Sequence, residues 1–305
     1  MKTEIAELLK NCIDEKRILV GEELKNHTTF RVGGPAKCFV TVNTVNELST
    51  IIKLLKAHNE PYFVIGNGSN LLVSDEGYEG VVIRLEGEFL KLEAYGDFIT
   101  AGAGVMLSKV CVFAKDNELA GMEFAYGIPG TVGGAMVMNA GAYGGEMKDI
   151  VEKVTLLTKD SGIVTLSKSE MKFGYRDSIL KHEPLIVLET VFGLNEGNKE
   201  EIFSNMQDYM ERRRSKQPIE LPSAGSTFKR PEGNFAGKLI MEAGLSGRRV
   251  GGACVSPKHC GFVVNDKGGT ASDIDRLMKT VTDQVYKNSG IVLEPEVIKI
   301  GHFGE

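Results

Sequence analysis

The turn Tyr175-Arg176-Asp177-Ser178 lies between two strand-like runs and carries the first group suited to catalysis. A guanidinium is planar, permanently charged and able to make a bidentate contact with a carboxylate. Arg176 could therefore bind a carboxylate group of a ligand. The alternative is a polar turn in which Arg176 and Asp177 form a surface ion pair of little energetic consequence.

Ser226 is the second candidate, because it follows a glycine and precedes two cations, Lys229 and Arg230. No Gly-x-Ser-x-Gly elbow surrounds this serine, and no histidine near it in sequence could serve as its base. The segment predicts either a proton-donating hydroxyl or an ordinary turn serine. A nucleophilic role is not indicated.

Glu296 is the third candidate and directly precedes the last strand-like run, a position where an acid is usually just solvated. Cys254, His259 and Cys260 lie close in sequence, but their spacing fits no zinc-site pattern. We therefore predict no metal site.

A short turn of small residues, Gly66-Asn67-Gly68-Ser69-Asn70, follows an apolar strand-like run. Such a turn lets backbone N–H groups converge on an anion. It is not the dinucleotide fingerprint, because Leu71 stands where the third glycine would be. The alternative is a purely structural turn, in which glycine serves left-handed backbone geometry.

A second glycine-rich stretch contains eight glycines between Gly121 and Gly145. Ordering so many glycines costs conformational entropy that ordinary turns between strands do not require. The stretch is better explained by close approach of the backbone to a large flat or phosphorylated ligand. We therefore predict a ligand-binding loop here.

Length and composition indicate a globular protein of about two domains, since the chain has 305 residues, 42% hydrophobic and 25% charged. The net charge of −5 gives no general attraction for nucleic acid or for an anionic membrane. Five scattered cysteines suit a reducing compartment, and no apolar run is long enough to span a bilayer. We expect a soluble, cytoplasmic protein with no obligate protein partner evident.

Hydrophobic periodicity and capping signals predict alternating helices and strands. We place the main domain boundary at residue 200, ahead of a helix that stops before Pro218. The predicted elements are an N-terminal amphipathic helix reaching Ile13, a β-α-β-β order over 40–85, a helix over Leu107 to Ala114, strands at 151–157 and 185–192, a helix ending at Gly290, and a last strand at 297–300.

The motifs together resemble those of the UDP-N-acetylenolpyruvoylglucosamine reductase family, flavoenzymes that complete UDP-N-acetylmuramate synthesis for bacterial peptidoglycan. The chain is most similar to the shorter branch of that family. Nearly the whole chain is covered by the resemblance, and its six ordered segments are residues 26–36, 66–70, 127–144, 173–178, 225–231 and 294–297.

The resemblance implies an α+β fold: an FAD-binding domain of the vanillyl-alcohol-oxidase type and a smaller C-terminal α+β substrate domain. Residues 1–200 would form the FAD-binding domain, with an N-terminal helix and two subdomains meeting near 86–100, and residues 201–305 the substrate domain. No histidine lies in either glycine loop, so FAD is expected to bind non-covalently. The implied cofactor-binding residues are Gly66, Asn67, Gly68, Ser69, Asn70, Gly130, Thr131, Gly133 and Gly134.

The resemblance also implies a reaction in which NADPH reduces the flavin and the flavin then reduces UDP-N-acetylglucosamine enolpyruvate. Arg176 matches the arginine that stabilises the enolate-like intermediate through the substrate carboxylate. Glu296 matches the acid that assists it, and Ser226 matches the proton donor to the carbanionic carbon. Tyr175, Lys229 and Arg230 are the implied substrate-binding residues.

Two alternatives belong to other classes. An FAD-bearing electron-transfer subunit of a larger dehydrogenase would share the flavin domain but should lack the set Arg176, Ser226 and Glu296. A sugar-nucleotide-binding module without catalysis would need no flavin and should purify colourless. Arg230 departs from the family pattern, which has asparagine at that position.

Overall fold

The computed structural model describes residues 2–304 and divides the chain into two compact units. The first, here called the N-terminal unit, comprises the residues up to Val20, Lys37–Asn67 and Gly80–Arg212. The C-terminal unit comprises Gly21–Ala36, Gly68–Glu79 and the residues from Arg213 onwards. This grouping rests on packing, so a flavin-binding part over 1–200 and a substrate-binding part over 201–305 stay predictions.

The described residues form eight α-helices and eighteen β-strands. The helices are α1 Lys2–Leu9, α2 Val45–Ala57, α3 Leu107–Asp116, α4 Val132–Met138, α5 Met147–Ile150, α6 Lys199–Lys216, α7 Ala236–Glu242 and α8 Ala271–Ser289. The strands are β1 Ile18–Val20, β2 Ala36–Val42, β3 Tyr62–Ile65, β4 Leu71–Val73, β5 Tyr78–Leu85, β6 Leu92–Tyr95, β7 Phe98–Gly102, β8 Leu119–Ala120, β9 Gly141–Ala142, β10 Gly145–Glu146, β11 Val151–Leu157, β12 Ile163–Ser167, β13 Ile186–Gly193, β14 Asn195–Glu196, β15 Arg249–Val250, β16 Ala253–Val255, β17 Val263–Asn265 and β18 Ile298–Ile300.

The first sheet of the N-terminal unit has the strand order β1-β2-β5-β3. β3 runs parallel to β5, and the crossover connection between them is residues 66–77, which contain the glycine turn and β4. α2 begins at a capping box formed by Thr44 and Glu47, as its sequence predicts. Its buried residues are the four at helical spacing: Leu48, Ile51, Ile52 and Leu55.

The second sheet of the N-terminal unit is antiparallel, with the order β12-β11-β13-β7-β6. α4 contacts β13 and β7 of this sheet. α3 buries Leu107, Val110, Cys111 and Ala114, the residues that its periodicity predicts. The buried side chains of this sheet, α2, α3 and α4 all belong to one hydrophobic core.

The C-terminal unit is built around α8, which packs against the three-stranded sheet β15-β16-β17. Thr270 caps the start of α8, and Gly290 ends it in the left-handed conformation (φ 71°), as predicted. The apolar face of α8 enters a separate hydrophobic core through Ile274, Leu277, Met278, Val281 and Val285.

One detail differs from the sequence expectations, and a second has no sequence prediction to compare with. α1 ends at Leu9, and the amphipathic pattern continues to Ile13 through turns in which the Cys12 N–H donates to the Leu9 carbonyl at 2.9 Å. β4 does not join its neighbours β3 and β5 but pairs parallel with β18 from the other end of the chain. A strand of only three residues carries no signal in its own sequence for such a distant partner.

Candidate active site

The start of the first glycine-rich stretch, Gly66 and Asn67, lies beside the second stretch in the N-terminal unit, although about sixty residues separate them in sequence. Gly68 to Asn70 belong to the C-terminal unit. The Asn67 side-chain amide donates to the Pro129 carbonyl at 2.7 Å. A Cβ placed on Gly66 would lie 2.4 Å from the Thr131 hydroxyl oxygen, which is closer than atoms can approach. Glycine at 66 is therefore required for this packing.

Three consecutive backbone N–H groups in the 66–70 turn, those of Asn67, Gly68 and Ser69, have no acceptor among residues 2–304. Gly68 has φ +60°, and a Cβ there would lie 2.1 Å from the His27 carbonyl oxygen. Successive unpaired N–H groups at a left-handed residue form an anion-binding nest. The turn therefore fits the pyrophosphate of a dinucleotide such as FAD.

The loop over Gly130 to Gly134 differs from this turn, because the N–H groups of Gly130, Val132, Gly133 and Gly134 are already hydrogen-bonded within the protein. Val132 N donates to Val105 O at 2.8 Å, and Gly133 N donates to Ala103 O at 2.9 Å. The Gly134 N–H reaches the Thr131 hydroxyl, which caps α4. This loop would therefore contact a cofactor by close approach of its glycine backbone more than by free donors.

Arg176 lies at the tip of a tight hairpin in the N-terminal unit. The arms of the hairpin are Gly174 and Asp177, which exchange backbone hydrogen bonds of 3.0 and 3.3 Å. Arg176 has φ +55°, a conformation that few non-glycine residues adopt. Its guanidinium carbon lies 5.1 Å from the ring centroid of Tyr175, a side chain that is half exposed.

The Asp177 carboxylate accepts hydrogen bonds from His182 Nε2, with both N–O distances at 3.0 Å. This contact holds the pKa of Asp177 below its usual range, so the carboxylate stays ionised well below neutral pH. The Asp177 carboxylate is thus hydrogen-bonded locally to His182.

Ser226 and Glu296 are brought together in the C-terminal unit by Thr227, the residue after the serine. Glu296 N donates to Thr227 O at 2.9 Å. Thr227 is fully buried; its own N–H donates to Gly261 O at 2.8 Å, and its hydroxyl accepts from Val263 N at 2.8 Å. Thr227 is not among the residues predicted from sequence, where its only signal is its place beside Ser226.

Asn70, the last residue of the glycine turn, binds the backbone carbonyl of Glu296. The Asn70 side-chain amide donates to Glu296 O at 3.1 Å, and Ile298 N donates to Asn70 O at 2.9 Å. These bonds continue the pairing of β4 with β18. The backbone of Glu296 is therefore fixed from both its N–H and its carbonyl.

The two predicted substrate-binding cations each have a neighbour in the C-terminal unit. The Lys229 ammonium lies 3.1 Å from a carboxylate oxygen of Glu294. The Arg230 guanidinium carbon lies 4.0 Å from the ring centroid of Phe235. The backbone segment 227–229 pairs with 294–296: Phe228 forms an antiparallel bridge with Pro295, and Lys229 N donates to Glu294 O at 2.8 Å. Lys229 and Arg230 therefore lie at the end of the segment that pairs with Glu296.

No group of three or more His, Cys, Asp or Glu residues that could hold a metal ion occurs within residues 2–304. All five cysteines are free thiols. Across the same described range, every helix is too short or too polar to cross a membrane.

Comparison with known proteins defines the class of this chain. A family described as an FAD-binding domain matches residues 36–167, which include the whole of the 66–70 glycine turn and the whole of α4. A second family, described as the C-terminal domain of UDP-N-acetylenolpyruvoylglucosamine reductase, matches residues 217–300, which include Ser226 and Glu296. The fold and the site therefore define an FAD-dependent oxidoreductase.

Relatives similar over nearly their whole length carry the same name. The chain is 46% identical to UDP-N-acetylenolpyruvoylglucosamine reductase of Lachnoclostridium phytofermentans, covering 99% of this chain and 98% of that one. It is 49% identical to the same reductase of Clostridioides difficile, covering 96% of both. The crystal structure of this reductase from Thermus caldophilus matches with a TM-score of 0.80 and 40% identity, covering 93% of this chain and 98% of that one.

The chain belongs to the UDP-N-acetylenolpyruvoylglucosamine reductase family. The family assignment, the α+β fold class and the FAD cofactor predicted from sequence are thereby confirmed. The individual site residues stay predictions.

Proposed function

We propose that this chain reduces the enolpyruvyl group of UDP-N-acetylglucosamine enolpyruvate with NADPH, giving UDP-N-acetylmuramate for peptidoglycan precursor synthesis. The observation that carries the proposal is 46% identity to a reductase of that name across 99% of the chain. Bound FAD would accept a hydride from NADPH and deliver it to the enolpyruvyl group. The unpaired N–H groups of Asn67, Gly68 and Ser69 would hold its pyrophosphate.

Arg176 would stabilise the charge that develops on the substrate. Hydride addition at the terminal methylene carbon drives negative charge onto the adjacent carbon and its carboxylate. A fixed guanidinium aimed at that carboxylate stabilises the transition state more than the ground state. Tyr175, whose ring lies against the same guanidinium, would line the substrate beside it.

Ser226 and Glu296 would respond to the same developing charge on the substrate. The Ser226 hydroxyl would donate its proton to the carbanionic carbon, and the Glu296 carboxyl group would assist stabilisation of the intermediate. The hydrogen bond from Glu296 N to Thr227 O supports a joint role, because it fixes the two residues as backbone neighbours. Lys229 and Arg230 would contact the diphosphate.

The proposal includes a cytoplasmic location and the division into a flavin part over 1–200 and a substrate part over 201–305. Five free thiols support a reducing compartment. The match of the C-terminal family to residues 217–300 supports the second part of the division.

The test is spectroscopic and uses the purified holoprotein under anaerobic conditions. We expect a yellow protein that NADPH bleaches and that UDP-N-acetylglucosamine enolpyruvate reoxidises. UDP-N-acetylglucosamine, which lacks the enolpyruvyl group, is the control and should not restore the colour. Bleaching without reoxidation by the substrate would instead support an electron-transfer subunit, and a protein that binds no flavin would support a sugar-nucleotide-binding module.

The role of Arg176 is tested by Arg176→Lys, which keeps the positive charge but loses the planar group that can make a bidentate contact with a carboxylate. We expect normal FAD content, normal bleaching by NADPH and slow reoxidation by substrate. Near-normal turnover of this variant would remove Arg176 from the catalytic role.

A further inference from the structure

We propose that Ser178 and Asn139 are positioning residues that hold Arg176 in its catalytic orientation by fastening its hairpin to the end of α4. This inference rests on the proposed role of Arg176. The hairpin needs such support, because its tip is in the left-handed conformation at φ +55°. A non-glycine residue keeps that conformation only where its surroundings enforce it.

Ser178 fastens one arm of the hairpin. Its side chain is only 1% exposed, and its hydroxyl donates to the carbonyl of Val137 at 3.0 Å. Val137 lies in the last turn of α4, where carbonyls have no partner within the helix. The bond therefore satisfies a helix-end acceptor and fixes the residue two positions after Arg176.

Asn139 fastens the other arm. It is fully buried and ends α4 in the left-handed conformation (φ 40°, ψ 55°). Its side-chain amide donates to Gly174 O at 2.9 Å and to a carboxylate oxygen of Glu146 at 2.6 Å, while its oxygen accepts from Lys148 N at 2.9 Å. Gly174 is the hairpin arm that precedes Tyr175 and Arg176.

α4 also joins this anchor to the predicted flavin loop. The helix has seven residues and begins after Thr131. At 1.5 Å per residue it is about 10 Å long. The flavin loop and the arginine hairpin are thus attached to opposite ends of one short helix, and the helix sets the distance between them. The hydrogen bonds of Ser178 and Asn139 fix the Arg176 hairpin relative to this helix, so neither residue needs to contact the substrate.

The first test is Ser178→Ala in the holoenzyme, measured by stopped-flow in the two half-reactions. FAD content and bleaching by NADPH should stay at the parent values. Reoxidation by UDP-N-acetylglucosamine enolpyruvate should slow by about 10- to 100-fold, the cost of a misplaced catalytic group. Calorimetric affinity of the oxidised enzyme for the same substrate should fall as well, and Ser178→Thr, which keeps the hydroxyl, should recover part of both losses.

The matched control is Ser74→Ala. Ser74 is also a buried serine whose hydroxyl donates to a backbone carbonyl, that of His302 at 2.5 Å, but it belongs to the C-terminal unit. Its loss should lower stability in urea without selectively slowing reoxidation. Equal slowing of reoxidation in both variants would overturn the proposal, because the effect would then follow general loss of stability.

A double-mutant cycle separates this inference from the proposed function. If Ser178 acts through Arg176, Ser178→Ala should slow reoxidation by less than about threefold in the Arg176→Lys background. A full additive effect there, or a parent-like rate for Ser178→Ala alone, would overturn the inference and leave the role of Arg176 standing. A parent-like rate for Arg176→Lys would overturn both.

Asn139→Gly provides an independent variant should Ser178→Ala not fold. Glycine accepts the left-handed backbone at 139 and removes the side chain with its hydrogen bonds to Gly174, Glu146 and Lys148. We expect the same selective slowing and the same loss of effect in the Arg176→Lys background, and equal slowing of both half-reactions would count against the proposal.

Discussion

At Ser226 the proposed chemistry belongs to only one half of the catalytic cycle. Reduction of flavin by NADPH creates no substrate carbanion, whereas hydride transfer to the enolpyruvyl group does. Ser226→Ala should therefore be bleached by NADPH at the parent rate but reoxidised by substrate at least about 100-fold more slowly. Ser226→Cys should recover part of that loss, since a thiol can also donate a proton.

This experiment can distinguish a proton donor from a packing residue, because the backbone next to Ser226 is held in place by hydrogen bonds. Thr227 is tied to Gly261, Val263 and Glu296, so loss of the Ser226 hydroxyl should leave the chain in place. Equal slowing of both half-reactions would indicate a packing or flavin-positioning role. An unchanged alanine variant would show that Ser226 is not the proton donor.

Gly68 is the residue of the anion nest whose substitution should be most costly. In Gly68→Ala the new Cβ would meet the His27 carbonyl and Thr28 Cα, both of them backbone atoms that cannot rotate away. We expect FAD content, measured from the ratio of visible to ultraviolet absorbance, to fall markedly, together with the melting temperature.

The matched control for Gly68→Ala is Gly233→Ala, which has a similar φ of +68° but nothing within 4 Å of the added Cβ. It should cost only the left-handed strain, about 1 kcal/mol, and retain FAD. Similar FAD loss in the two variants would mean that strain, and not the close packing of the 66–70 turn, explains the effect.

Among the elements, α2 depends on an ion pair at its first turn. Arg17 makes two hydrogen bonds to the Glu47 carboxylate, at 2.8 and 2.6 Å, and Glu47 also accepts from the backbone of Asn43 and Thr44. The Arg17 contact is the main cause that lowers the pKa of Glu47. The stability from this lowered pKa is present above the unfolded value of about 4.3 and is lost as the pH falls through the folded value.

Glu47→Gln should therefore cost about 1 kcal/mol of unfolding free energy at pH 7. The difference from the parent should shrink as the pH is lowered below about 4, because Glu47 then binds a proton more readily in the unfolded chain than in the folded one. Urea unfolding of both proteins at pH 7 and pH 3.5 measures this difference. The control, Glu7→Gln, removes an exposed pair with Lys10 and should change little; a pH-independent difference for Glu47→Gln would contradict the assignment.

The short parallel pair of β4 and β18 positions the glycine turn next to Glu296. Each strand has three residues, yet their register places Asn70 against Glu296. The glycine turn and the proposed acid are thereby joined through the backbone of the C-terminal unit. Neither strand could be paired from sequence, since about 225 residues separate them.

For the whole molecule, FAD should stabilise the folded chain by mass action. A ligand that binds only the native state adds about 2.7 kcal/mol when present at 100 times its dissociation constant. Removing FAD should lower the melting temperature, and titrating FAD back should restore it in a concentration-dependent way. Riboflavin, which lacks the pyrophosphate, is the control and should restore less; equal recovery with riboflavin would contradict a pyrophosphate nest in the 66–70 turn.

The local structure of this protein is largely determined by its sequence. The capping box of α2, the buried face of α3 and the Gly290 stop of α8 all follow from residues within a turn or two of each other. Short-range hydrogen bonds and helical periodicity decide such features, so they could be predicted. The family, the α+β class and the FAD cofactor followed from motifs that are continuous in the chain.

Only the tertiary structure decided which of these segments meet. In the folded chain Asn67 is hydrogen-bonded to Pro129, and Thr227 is hydrogen-bonded to Glu296. Ser178 and Asn139 connect the Arg176 hairpin to α4 by hydrogen bonds. Each of these contacts is one or two hydrogen bonds between residues distant in sequence. A single buried hydroxyl or amide has no periodicity and no neighbour in the chain to reveal its partner, because its partner is chosen by the packing of the whole core.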